Sequence, residues 1–252
     1  MTLNDSEQVY GFYRTHQQPA AKAKALYGWL AAKYRPHVSY EAGAANSIRS
    51  LRRDGYTLVI SANHVRESDP FILAAAGFCS PLRPMIGRVR VLAKDTLFRD
   101  PDQRRKIDVM GGIRVFRPKD HGIRESLPAG RQLIDTCAQR VADGDWIAVF
   151  PEGTCNTGDQ TRLQPLGSAV GHILSRAHAQ GKPIALVSVG IAYRDHSPRR
   201  AEVVFNTPRT LTAEDLSTPA AATRLAAADL QAALDVASAK AQDHTSQVRT
   251  LR

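Results

Sequence analysis

Short apolar runs that read as strands alternate with helix-like patterns along most of the chain. This alternation constrains its fold more than any other feature. TLVISAN at 57–63 has the continuous apolar, β-branched character of a buried strand. PFILAAAGF follows with helical composition, which predicts Asp69 as N-cap and Pro70 as the first helical residue. RPMIGRVRVLA and GIRVFRP supply shorter strand candidates, and 123–142 carries a helix pattern that stops at Asp143-Gly144. WIAVF, PIALVSVGIAY and AEVVFN are further strands, and QPLGSAVGHILSRAHAQG is a helix closed by Gly181. An Ala-rich helix after Thr218-Pro219, anchored by Leu225, Leu230 and Leu234, completes the pattern. The expected class is α/β, with helices flanking a mostly parallel central sheet.

A chain of 252 residues is long enough to bury one full core. The division expected is an N-terminal helical segment at 1–50 and an α/β domain at 51–252. In the first of these, residues 18–36 read as a helix with Leu26, Tyr27, Trp29, Leu30 and Tyr34 on one broad arc and Lys22 and Lys33 at its margin. Two uses fit that arc: docking on the domain, or lying in a membrane surface as an interfacial anchor.

Composition narrows the function classes. Three cysteines without metal or redox spacing suit a reducing compartment, and the scattered histidines offer no metal-ligand pair. No apolar run is long enough to span a bilayer, and MTLNDSEQVY lacks the form of a secretory signal. The expected location is therefore cytoplasmic, peripheral to the inner face of the cell membrane. A net charge of +10 predicts an anionic partner. Nucleic acid is disfavoured, because aromatic residues are only 6% of the chain and no nucleic-acid-binding motif is present.

Two stretches carry candidate chemistry: NHVRESDP after the first strand and FPEGTCNTG after WIAVF. Both fall where a strand ends, the usual place for functional groups in open α/β sheets. A histidine near working pH can remove a hydroxyl proton, and an aspartate can fix its tautomer and stabilise the imidazolium. An arginine can match phosphate oxygens bidentately, and backbone N–H groups at a turn can cradle an anion.

In these blocks the chain resembles the glycerolipid acyltransferase family. Asn63-His64 with Asp69 is similar to its NHxxxxD block, Gly112 to Arg117 to its second block, Phe150 to Thr154 to its third, and Pro183 to Val187 to its apolar fourth. Lys94 and Gly167 also fall where the family often has lysine and glycine. The resemblance implies an acyltransferase fold, with His64 as general base and Asp69 as its partner. It implies substrate contacts at Asn63, Lys94, Gly112, Arg117, Glu152, Gly153 and Thr154, with Glu152 orienting Arg117 or a substrate hydroxyl. It further implies an acyl-CoA or acyl-carrier protein as co-substrate, no resident cofactor or metal, a lysophospholipid acceptor and an anionic membrane surface. Among acceptors 1-acylglycerol 3-phosphate leads. Glycerol 3-phosphate, another lysophospholipid or a specialised alcohol are alternatives, as is a non-catalytic lipid-binding relative.

The chain departs from the family pattern in three places. Cys155 and Asn156 stand after Thr154 where many relatives read EGTRS, which removes a basic group. Glu67 occupies a position that is often apolar or aromatic. Cys155 also raises an alternative route, through a thiolate nucleophile paired with His64.

Overall fold

The computed structural model describes residues 2–194 and 197–250, without the side chains of 244–250. In chain order the elements are α1 (Ser6–Thr15), α2 (Ala20–Tyr34), β1 (His37–Tyr40), α3 (Ala44–Arg53), β2 (Thr57–Ala62) and α4 (Asp69–Phe78). Then come β3 (Val89–Lys94), α5 (Pro101–Val109), β4 (Gly112–Val115), α6 (Pro118–His121), α7 (Ile123–Ala142) and β5 (Trp146–Val149). The chain closes with α8 (Ala169–His178), β6 (Ile184–Ala192), β7 (Glu202–Phe205), β8 (Arg209–Thr210) and α9 (Pro219–Thr250).

The strands form one sheet in the order β1-β7-β6-β2-β5-β3-β4, with β8 added against β6. β6 meets β7 and β8 antiparallel; every other pairing is parallel. The α/β class with a mostly parallel sheet is as the sequence predicts. β2 and β6 are buried along their whole length because helices cover both faces. Leu58, Ile60 and Ala62 of β2 enter one apolar cluster with Tyr27, Leu30, Ile48 and Ile72. Val59 enters the other, with Val9, Leu133, Ile173 and Ala226. The period-2 alternation of a strand thus divides α2, α3 and α4 from α1, α7, α8 and α9.

Two details differ from the sequence expectation. Ser68 is the N-cap of α4, so Asp69 is its first residue and Pro70 its second. The Asp69 carboxylate turns back onto the preceding loop instead of capping the helix, accepting from the N–H groups of Val65 and Arg66. The apolar arc of α2 also splits. Tyr27, Leu30 and Tyr34 are buried, with Tyr34 stacked on Phe71 of α4, whereas Trp29 is 56% exposed beneath the Lys33 ammonium.

A buried ionic cluster ties the N-terminus to this frame. Asp145, one residue before β5, accepts from Arg88 (3.1 Å), Arg90 (2.7 Å) and Arg140 (2.8 Å). Arg90 and Arg140 are each 2% exposed, and their remaining donors reach the carbonyls of His16 and Arg14 at the end of α1 (2.9 Å each). One carboxylate therefore compensates two buried guanidinium groups that also hold the α1–α2 link.

Candidate active site

Because β6, β2, β5, β3 and β4 all run parallel, their carboxyl ends lie along one edge of the sheet. That edge collects Tyr193 after β6, His64 after β2, the Pro151–Cys155 turn after β5, Lys94 at the end of β3 and Arg117 after β4. Residues scattered over 130 positions of sequence (64 to 193) thus become neighbours in strand order.

His64 and Asp69 meet: Nδ1 lies 3.1 Å from Asp69 Oδ2. The carboxylate is fully buried and the imidazole side chain 17% exposed. A carboxylate facing Nδ1 selects the tautomer with the proton there, leaving Nε2 as the acceptor. Asp69 Oδ2 also receives the N–H groups of Val65 (2.5 Å) and Arg66 (2.7 Å), which fix the carboxylate against the loop that carries His64.

Glu152 serves this histidine through its backbone. One carboxylate oxygen accepts from the N–H of His64 (2.7 Å), the other from that of Gln164 (2.9 Å). It thereby braces three segments: its own turn, the His64 loop and the stretch before α8. Burial pushes its carboxyl above the usual range, while the two N–H donors pull it back. The peptide of His64 is fixed from the other side too, since its carbonyl accepts from Asn156 N–H (2.6 Å). Asn63, 1% exposed, pairs both ends of its carboxamide with the backbone of Ile191 (2.9 and 2.7 Å). Its structural role is to lock the His64 loop to β6.

The Cys155 sulfur is 3.5 Å from Nε2 and 3.9 Å from Nδ1. A sulfur nearly equidistant from both nitrogens lies beside the ring, not along the Nε2 lone pair, where a thiol must sit to be deprotonated by it. Burial and the charge of Asp69 push the thiol up, Glu67 adds to this, and Lys94 opposes it. Cys155 is therefore a neutral wall of the site at neutral pH. Alkylation by iodoacetamide should place a group across the imidazole and inactivate the protein, faster at alkaline pH. Cys155→Ala should keep activity within a few-fold and resist the reagent; an inactive Cys155→Ala would instead restore the nucleophile route.

Arg117 donates Nη1 to the carbonyl of Gly153 (2.8 Å) and Nε to Asp120 (2.6 Å). Its guanidinium thus sits over the third block's turn, where Gly153 has the left-handed backbone that glycine tolerates (φ +67°) and Thr154 follows half-buried. Lys94, also half-buried, is close enough to act on Cys155. Gly112 stands at the other end of β4, buried, where a Cβ would collide with Ile107. Tyr193 and Gln164 complete the site without any signal in the motif blocks. Among the described residues no group of three or more His, Cys, Asp or Glu is placed to hold a metal.

Comparison with known proteins places the chain among relatives. The chain is 33% identical over 111 residues to a 1-acyl-sn-glycerol-3-phosphate acyltransferase of Borreliella burgdorferi, a stretch that covers 44% of this chain and 38% of that relative. Residues 46–191, more than half of the chain, match the family described as Acyltransferase. On that match the chain belongs to the acyltransferase family.

Proposed function

We propose that the protein moves a fatty acyl chain from a thioester donor, acyl-CoA or an acyl-carrier protein, to the hydroxyl of a lysophospholipid, with 1-acylglycerol 3-phosphate as the leading acceptor. The observation that carries this reading is the His64–Asp69 pair with Nε2 left as acceptor at the carboxyl edge of the sheet. In the proposed step Nε2 takes the acceptor's hydroxyl proton as its oxygen attacks the thioester carbonyl. The tetrahedral intermediate then collapses, the C–S bond breaks and the thiolate recovers that proton from Nε2. Asp69 stabilises the transient imidazolium. Phosphate recognition falls to the remaining donors of Arg117, with Lys94 adding charge.

Peripheral attachment to an anionic bilayer, on the cytoplasmic side, fits the same reading. No acidic residue occurs between Glu7 and Glu41, while Lys22, Lys24, Lys33 and exposed Trp29 lie on or beside the outer face of α2. Among the described residues no helix is long and apolar enough to cross a membrane. The test is acyl transfer by the purified protein from long-chain acyl-CoA and from acyl-carrier protein. Acceptors in anionic vesicles would be lysophosphatidic acid, glycerol 3-phosphate and lysophosphatidylcholine, with products resolved by mass. A diacyl product with lysophosphatidic acid is expected; free CoA with no acylated product would identify a thioesterase instead.

A further inference from the structure

Asp69 has two oxygens, and the dyad uses only one. Oδ2 faces His64, Val65 and Arg66, whereas Oδ1 accepts from the hydroxyl of Tyr193. Tyr193 reaches it because β6 is longer than its neighbour β2. Ala62 at the end of β2 pairs with Val189, so β6 runs on past the His64 loop and delivers the phenol to the start of α4. The Arg66 guanidinium lies over the Tyr193 ring at 3.8 Å and fixes its plane. Burial and the neighbouring Asp69 push the phenol up, so it remains a donor throughout the working pH range. Tyr193 lies two residues beyond the segment that matches the family and 124 residues from its partner.

We propose that Tyr193 is a positioning residue for acyl transfer: its hydroxyl fixes the rotation of the Asp69 carboxylate and draws part of its charge away from His64. This rests on the acyltransferase reading above. The Val65 and Arg66 N–H groups hold Oδ2, and the Tyr193 hydroxyl on Oδ1 completes the restraint on rotation of the carboxylate about its own axis while Oδ2 faces the imidazole. The electrostatic sign follows. Without the phenol hydroxyl more negative charge remains on Oδ2, the imidazolium is favoured, and His64 stays protonated to higher pH. The other ionisable groups around the imidazole are Glu152 and Cys155 after β5, Lys94 of β3, and Arg66 and Glu67 of its own loop. Tyr193→Phe leaves all of them in place and preserves the ring on which Arg66 stacks.

The experiment compares the full-length wild type and Tyr193→Phe by two readouts. Turnover should fall roughly tenfold with KM for donor and acceptor within about two-fold, and the acid limb of the rate profile should move to higher pH. Ring NMR of isotopically labelled histidine, with the His64 signal assigned through His64→Gln, should show the same movement without any substrate. An unchanged His64 titration in the folded variant would overturn the proposal, whatever happens to thermal stability. If neither protein transfers acyl groups to any acceptor, the functional reading fails, while the NMR titration still tests the Tyr193–Asp69 contact alone.

Discussion

His64→Ala should lower acyl transfer by about 10²–10⁴-fold while leaving the protein folded, as measured by turnover under saturating donor and acceptor beside a thermal melt. The fold is expected to survive because Asp69 keeps the Val65 and Arg66 N–H groups and the Tyr193 hydroxyl when the imidazole is gone. Glu152 likewise still receives the backbone N–H of residue 64, which any residue but proline supplies. The pH profile sharpens the test. Wild-type activity should fall toward acid pH as Nε2 is protonated and can no longer accept, and His64→Ala should lose that limb altogether. Full activity in the alanine variant would remove the general base from the mechanism.

The second large effect concerns stability. Asp145→Ala should cost about 3–5 kcal/mol, because it leaves the guanidinium groups of Arg90 and Arg140 buried without their counter-charge. For a chain of this size that corresponds to a melting point lower by roughly 6–20 °C. Loss should begin at the N-terminus, where those arginines hold the carbonyls of Arg14 and His16, and limited proteolysis would read it as early cleavage near α1. An unchanged melting point would mean that solvent reaches the cluster and compensates it.

The sequence carries the parts of this molecule that depend on residue type or on period. The long buried strands β2 and β6 are apolar runs, and Gly or Pro punctuation marks the end of α7 and the start of α9. The His64–Asp69 pair is visible as a spacing. What stays hidden depends on backbone partners or on tertiary neighbours. β1 is four residues of HVSY at the edge of the sheet beside β7, and its sequence scarcely differs from a loop. α5 buries Ile107 alone, so its periodicity is faint. The resemblance implies that Glu152 orients Arg117 or a substrate hydroxyl; the partners that the structure gives its carboxylate are two backbone N–H groups, which any residue but proline possesses. Asn63 reads as a substrate contact, whereas the structure pairs it with the peptide of Ile191. The role of Tyr193 comes from the length of one strand relative to its neighbour, which no local pattern encodes.

The row of strand ends has a consequence for how such a protein can diversify. The His64–Asp69 pair sits after β2 and its braces come from β5 and β6, while Arg117 and Lys94 arrive on β4 and β3 at the far side of the sheet. On the proposed function, reaction and recognition are carried by different crossovers. Insertions or exchanges after β4 can retune which head group is held without altering the register that aligns the dyad, whereas the same changes after β2, β5 or β6 strike the reaction itself. Descendants of this chain would be free to change acceptor by remodelling one flank and keeping the other.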